Sequence, residues 1–168
     1  MIHTVTRPPR FHLFRWFARL MVIPALAVLT AGCASNSPSD TAAFAPATGA
    51  SVAALRDADL RLVRWVEDGK RVKPPADTPV TVRLGEAGRL SGRGPVNRYF
   101  GTFGFLGDGS VSWPNAAIGS TRMAGPPEAM DLEMRFFQTL TRTTALETTP
   151  DAVRFQSADG RNILEFSR

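Results

Sequence analysis

Three Asp-Gly dipeptides, Asp68-Gly69, Asp108-Gly109 and Asp159-Gly160, punctuate a run of short apolar segments in this 168-residue chain. Asp-Gly suits tight turns with positive φ, whose twist matches that of paired strands. Three such turns between alternating runs predict an antiparallel sheet built mostly of consecutive hairpins. Val80 to Leu84 alternates cleanly, with Val80, Val82 and Leu84 on one face and Thr81 and Arg83 on the other. Gly101–Phe105 and Ser110–Trp113 flank Gly107-Asp108-Gly109 as the arms of a hairpin. Val153 and Phe155 alternate with Arg154 and Gln156 before the last Asp-Gly turn leads into Asn162–Phe166. In the first strand, Leu60 to Val66, the adjacent Leu62 and Val63 break the alternation and predict a bulge.

One segment has a helical period instead. Pro126-Pro127 opens a stretch from Glu128 to Leu140 in which Met130, Met134, Phe137 and Thr141 recur at helical spacing, widened by Leu132, Phe136 and Leu140. Proline at the start and acids in the first turns suit a helix N-terminus. The Met/Phe stripe is expected to be core, because a lone helix on a sheet must bury one face. Asp131 and Glu133, two apart, point in different directions and are not expected to act as an acid/base pair. They are read as a dipole-favoured acid and a packing or salt-bridge residue.

Charge divides the chain at residue 32. The formal net charge is +5, but residues 1–32 hold Arg7, Arg10, Arg15 and Arg19 with no acid, leaving 16 basic and 15 acidic groups after them. Basic character therefore belongs to the leading segment, and no nucleic-acid partner is expected. That segment also holds both histidines, and the single cysteine is Cys33. The remainder thus lacks the side chains for a His-based triad, a His- or thiolate-ligated metal or a disulfide. Lysine occurs only at Lys70 and Lys73. Neither enzymatic activity nor a cofactor is expected.

Leu20 to Leu29 is uncharged and apolar, too short to span a bilayer and suited to a secretory signal. It ends in Leu29-Thr30-Ala31-Gly32-Cys33, which resembles the lipobox of bacterial lipoproteins. The plainer reading is an ordinary signal with an incidental cysteine. The resemblance implies cleavage before Cys33, acylation of Cys33 and anchoring in a membrane. Thr30 stands where Leu is commonest. Ala34 and Ser35, with no Asp after the Cys, imply by resemblance sorting to the periplasmic face of the outer membrane. Residues 34–55, rich in Ala, Ser, Thr and Pro, are expected to be a flexible tether. The division is therefore a signal (1–32), a lipidated N-terminus with linker (33–56) and a folded domain (57–168).

Ser91 to Gly101 is the most unusual stretch. It lacks the Gly-Lys-[Ser/Thr] of a phosphate loop and is read as a strand carrying a bulge, its glycines allowing close backbone approach. Thr121–Gly125 is read as an edge strand and connector. Asn97-Arg98-Tyr99-Phe100-Gly101, then Ser120–Ala124, Asp131-Leu132-Glu133 with Phe136, Phe137 and Leu140, and Ala158-Asp159-Gly160-Arg161 before a terminal strand together resemble the META/HslJ family, from about Leu60 to Phe166. The resemblance implies a mostly β (α+β) fold: a small antiparallel, incompletely closed, barrel-like sheet with one amphipathic helix. It also implies a bacterial envelope protein associated with stress and antibiotic tolerance, with no established enzymatic activity. The family usually has Cys where this chain has Val96 and Gly125, and Trp where it has Leu60. Loss of both cysteines together suggests that the two sites face each other.

Three functions follow as expectations. The first is a non-catalytic lipoprotein acting in envelope maintenance or stress tolerance, monomeric and meeting an envelope protein or an apolar ligand. Asn97, Tyr99, Thr121, Arg122 and Met123 are its candidate binding surface. The second is an apolar-ligand module in which Phe103, Phe105, Val111 and Trp113 line a partly open barrel; the plainer reading is that they fill it. The third, an enzyme using carboxylates, is disfavoured by the absence of His and the scarcity of Lys after residue 32.

Overall fold

The computed structural model describes residues 43–75, 77–114 and 118–168. The expected signal, Cys33 and the first part of the expected linker lie outside them. In chain order the elements are β1 (Ala45–Pro46), α1 (Gly49–Ala54), β2 (Leu60–Glu67), β3 (Lys70–Val72), β4 (Thr81–Leu84), β5 (Arg89–Arg93), β6 (Arg98–Thr102), β7 (Gly104–Phe105), β8 (Val111–Ser112), β9 (Ile118–Ser120), α2 (Pro127–Thr141), β10 (Ala145–Thr148), β11 (Ala152–Gln156) and β12 (Ile163–Ser167).

One antiparallel sheet runs β1-β10-β11-β12-β2-β4-β5-β6-β9, with β3 paired to the C-terminal half of β2. It does not close into a barrel. The hairpin β7–β8 forms its own pair and reaches the large sheet through single bonds: Val111 N–H to the Thr144 carbonyl and Leu146 N–H to the Gly109 carbonyl. The fold class is the expected one, mostly β with one main helix and an unclosed sheet.

The Asp-Gly signals are realised locally. Asp68 and Gly69 both take positive φ between β2 and β3, and Gly109 and Gly160 do so in the other two turns. The bulge in β2 falls where alternation fails: Leu62 pairs with Phe166 and Arg64 with Glu165, leaving Val63 unpaired and half exposed. Val80, Val82 and Leu84 are buried, with Arg83 outside.

Three expectations are corrected. The linker does not extend to residue 56. Ala45 and Pro46 pair with β10, and Thr48 caps α1 in a reciprocal box with Ser51. Ala47, Val52 and Leu55 then enter the core, so short apolar residues on one capped turn suffice to dock a segment of low overall hydrophobicity. Second, Ser91–Gly101 is two strands rather than one bulged strand. Gly94 N–H bonds the Asn97 carbonyl at 2.7 Å and closes a tight turn between β5 and β6. The glycines do serve close approach: a Cβ on Gly92 would lie 2.1 Å from the Thr81 carbonyl oxygen.

Third, α2 is rotated from the expected stripe. Its buried residues are Glu133, Phe136, Thr139 and Leu140, whereas Met130 and Met134 are exposed. Phe136 packs edge-on against Trp65, Tyr99 and Phe166 at centroid distances of 5.9, 5.5 and 6.5 Å. Trp65 Nε1–H donates to Thr139 Oγ1. A polar contact to the sheet and a buried acid thus set the helix face that hydropathy alone misplaces.

The paired substitution reads true in geometry. An ideal Cβ on Gly125 would lie 3.6 Å from Val96 Cβ, within the span of a disulfide. The double variant Val96→Cys/Gly125→Cys should therefore oxidise to a bridge under non-reducing conditions. Closing a loop of about 30 residues is worth roughly 3–4 kcal/mol in the chain-entropy model. A higher melting temperature that falls back on adding reductant is the expected result, with mass spectrometry reading the bond.

Candidate functional site

The turn between β5 and β6 meets the start of α2 in a fully bonded polar cluster. Glu133 Oε2 accepts from the backbone N–H groups of Val96 (2.9 Å) and Asn97 (2.5 Å), and Oε1 accepts from Asn97 Nδ2 (2.7 Å). Asn97 Oδ1 accepts from Met123 N–H (2.8 Å) and from the Thr121 hydroxyl (2.9 Å). Asn97 and Glu133 are 2% and 5% exposed. Each acceptor faces a donor of the same chain, so the pair ties turn, connector and helix together and is spent on structure. Glu133 is thus not a salt-bridge residue.

The five residues expected to form one surface do not. Asn97 and Tyr99 are buried, while Thr121, Arg122 and Met123 are exposed. Tyr99 donates its hydroxyl to the Thr81 carbonyl at 2.8 Å across Gly92, and burial pushes its phenol well above the ordinary range. Its ring packs on Phe136 and Phe137, each at 5.5 Å. Thr121 and the Met123 backbone serve Asn97, and the Arg122 side chain makes no hydrogen bond or ion pair among the described residues.

The four residues expected to line a barrel pack inward on one another and on β11. Phe103 lies 6.4 Å from Phe105, 5.7 Å from Trp113 and 6.0 Å from Phe155, centroid to centroid. Trp113 Nε1–H donates to the Thr143 carbonyl at 3.0 Å, and Val111 joins the same core. These rings occupy the space a ligand would need.

A depression of about 780 Å³ lies on the opposite, solvent side of the sheet and is lined by residues that include Arg83, Arg89, Ser91, Phe100 and Gly119. A second, of about 540 Å³, shares Arg83, Ser91 and Phe100 and adds Arg61, Arg93 and Arg98. The strand registers order this face in rows. Arg61 pairs with Thr81, Thr81 with Arg93 and Arg93 with Arg98. In the next row Arg83, Ser91, Phe100 and Gly119 are successive partners, and beyond it Arg89 opposes Thr102. Phe100 is 63% exposed, its ring lying over Gly119, where a Cβ would meet it at 2.9 Å. Arg83 is held by Asp59 through two bonds of 3.1 and 2.7 Å, which keep the Asp59 carboxyl below its ordinary pKa.

The model of the META domain family matches residues 53–168. The chain belongs to the META domain family. Its fold is also that of an NMR structure of a protein from Burkholderia xenovorans, 24% identical, with a TM-score of 0.56 over 79% of this chain and 96% of that one. A second NMR structure is 21% identical, with a TM-score of 0.48 over 69% and 92% of the two chains. No curated protein matches the chain.

In this META domain the motifs that carry the resemblance are largely internal. Asn97, Tyr99, Glu133 and Phe136 hold the helix to the sheet, whereas the arginine face was not anticipated. Its signal was the alternation Arg89/Ser91/Arg93 and Arg98/Phe100/Thr102 on either side of Gly94–Asn97, visible once that stretch is divided into two strands.

A direct contrast tests the clasp. Asn97→Ala strands Thr121, Met123 and Glu133 partners in a dry site and should cost about 2 kcal/mol or more. Glu133→Gln turns an amide N–H₂ toward N–H donors whichever way it is oriented, and should cost a similar amount. Arg122→Ala, at an exposed position, should stay within about 0.5 kcal/mol of the parent in urea melts.

Proposed function

We propose that this META domain protein is a non-catalytic lipoprotein of the bacterial envelope. In this reading Cys33 carries the acyl anchor and the domain faces the periplasm from the outer membrane, contributing to envelope maintenance or stress and antibiotic tolerance. The observation that carries the reading is the position of the sole cysteine. It ends a basic, then apolar, leading segment and stands ten residues before Ala43, where the described domain starts. Two or more acyl chains on that residue meet the requirement for stable anchoring.

The domain's own chemistry supports a binding or scaffolding role over catalysis. The residues after Gly32 contain no histidine, and the most buried acid, Glu133, has both oxygens committed to N–H groups of the same chain. The second reading, an apolar ligand held among Phe103, Phe105, Val111 and Trp113, would require these packed rings to part. Ring-to-ring contacts favour a filled interior.

Cys33→Ser tests the anchor. The parent should fractionate with membranes as a cleaved species that needs detergent for release. The variant should be soluble or remain as uncleaved precursor. A variant that is still cleaved and still needs detergent would show that Cys33 is not the anchoring residue.

A further inference from the structure

We propose that the outer face of β4, β5 and β6 docks on the phosphate-bearing headgroups of an anionic bilayer surface. The choice of a membrane as partner rests on the anchoring reading above; the face itself stands on the registers and burial already described.

The charge on this face is poorly explained by folding. Arg93 and Arg98 are direct cross-strand partners, with Cβ atoms about 5 Å apart, an arrangement in which like charges oppose pairing. Arg61 lies in the same row, and Arg89 two rows along the same face. Among the described residues none of these four arginines has a carboxylate partner, whereas Arg83 is held by Asp59 and Arg56 by Glu86. The face and its rim hold six arginines (Arg56, Arg61, Arg83, Arg89, Arg93, Arg98) against Asp57, Asp59 and Glu86. The other residues after Gly32 hold ten basic and twelve acidic groups. The near-neutral total therefore conceals a dipolar domain with its positive side on one sheet face.

Shape and reach select the partner. The face spans several strands, and its two open depressions share the exposed Phe100. An array of arginines suits several phosphates at once, because each guanidinium presents a fork of N–H donors. A single aromatic side chain among them can enter the apolar boundary below the headgroups. Ten residues from Cys33 to Ala43 span at most about 35 Å, so an anchored domain never leaves the neighbourhood of its own bilayer. Each arginine near an anionic surface then adds about a fivefold preference, weakened by salt.

The full chain, as isolated from the envelope fraction, is mixed with nanodiscs of phosphatidylcholine alone or with about one-third phosphatidylglycerol, and arginine modification by phenylglyoxal is followed by mass spectrometry. Retention on the neutral discs reads the anchor; protection of individual arginines reads this proposal, so the two can fail separately. On anionic discs Arg89, Arg93 and Arg98 should react at least about threefold more slowly than on neutral ones, with Arg71 on β3 unchanged and the protection lost in high salt. Arg93→Glu, which sets a carboxylate opposite Arg98, should abolish the protection of Arg89 while leaving the melting temperature equal or higher. Equal rates on both discs, equal slowing of Arg71, or full protection surviving in Arg93→Glu would each overturn the proposal. Stronger protection of the same arginines by a single-stranded oligonucleotide than by anionic discs would reassign the face to nucleic acid.

Discussion

The Glu133 carboxylate, buried against the turn between β5 and β6, is the interaction on which the arrangement of helix and sheet depends. A buried acid is costly unless donors surround it. Here two backbone N–H groups and the Asn97 amide supply them, at 2.5 to 2.9 Å. Those donors exist only because the chain turns tightly at Gly94, where a Cβ would come within 2.9 Å of the carboxylate itself. Asn97 then passes the constraint on to Thr121 and Met123, so the connector before the helix is fixed by the same side chain. With Glu133 facing the sheet, Phe136 and Leu140 follow it into the core and the methionines turn outward.

A second constraint answers the incomplete closure of the sheet. Single bonds rather than a ladder join β7–β8 to β10, and packing of large rings supplies what hydrogen bonding does not. Phe103 contacts Phe105, Trp113 and Phe155, and Phe155 continues to Phe166 and through it to Phe136 on the helix. Edge-to-face pairs of this kind add to the burial of apolar area. At the entrance to β5, a Cβ on Gly88 would stand 2.0 Å from the Phe103 carbonyl oxygen, and its positive φ suits glycine as well. Close backbone approach at Gly88 is what lets Phe103 N–H bond the Gly88 carbonyl and bring the small hairpin under the sheet.

The domain thus separates its roles by side. Inside, the aromatic and polar groups are satisfied by one another, with no buried side-chain donor or acceptor left without a partner among the described residues. Outside, on the face of β4, β5 and β6, Arg83 is paired with Asp59, but Arg89, Arg93 and Arg98 have no carboxylate partner among the described residues, and the last two are cross-strand neighbours. Burial cannot account for that face, and it is where recognition of a partner has room to occur.

Much of the fold was legible because its signals are local. Asp-Gly turns, the alternation from Val80 to Leu84, the bulge beside Val63 and the proline-led start of α2 depend on backbone preferences within a few residues, and each appears in place. The motif spacing that identified the family was equally a property of the chain alone, as was the opposition of Val96 and Gly125 inferred from their joint departure from it. What needed tertiary structure was every choice between equivalent faces or partners. Helical spacing allowed either the Met130/Met134 side or the Glu133/Phe136 side to be buried, and donors about 36 residues away in the chain decided it. Asn97 and Tyr99 looked like surface polar residues until the turn and the helix closed over them. Residues 45–55 looked too weakly apolar to fold until β10 offered an edge. Arg93 and Arg98 were two charges along what read as one bulged strand until strand register set them side by side. Sequence determines which elements can form, since that depends on neighbours in the chain; tertiary packing determines which atoms are hidden, since burial depends on partners the chain brings from afar.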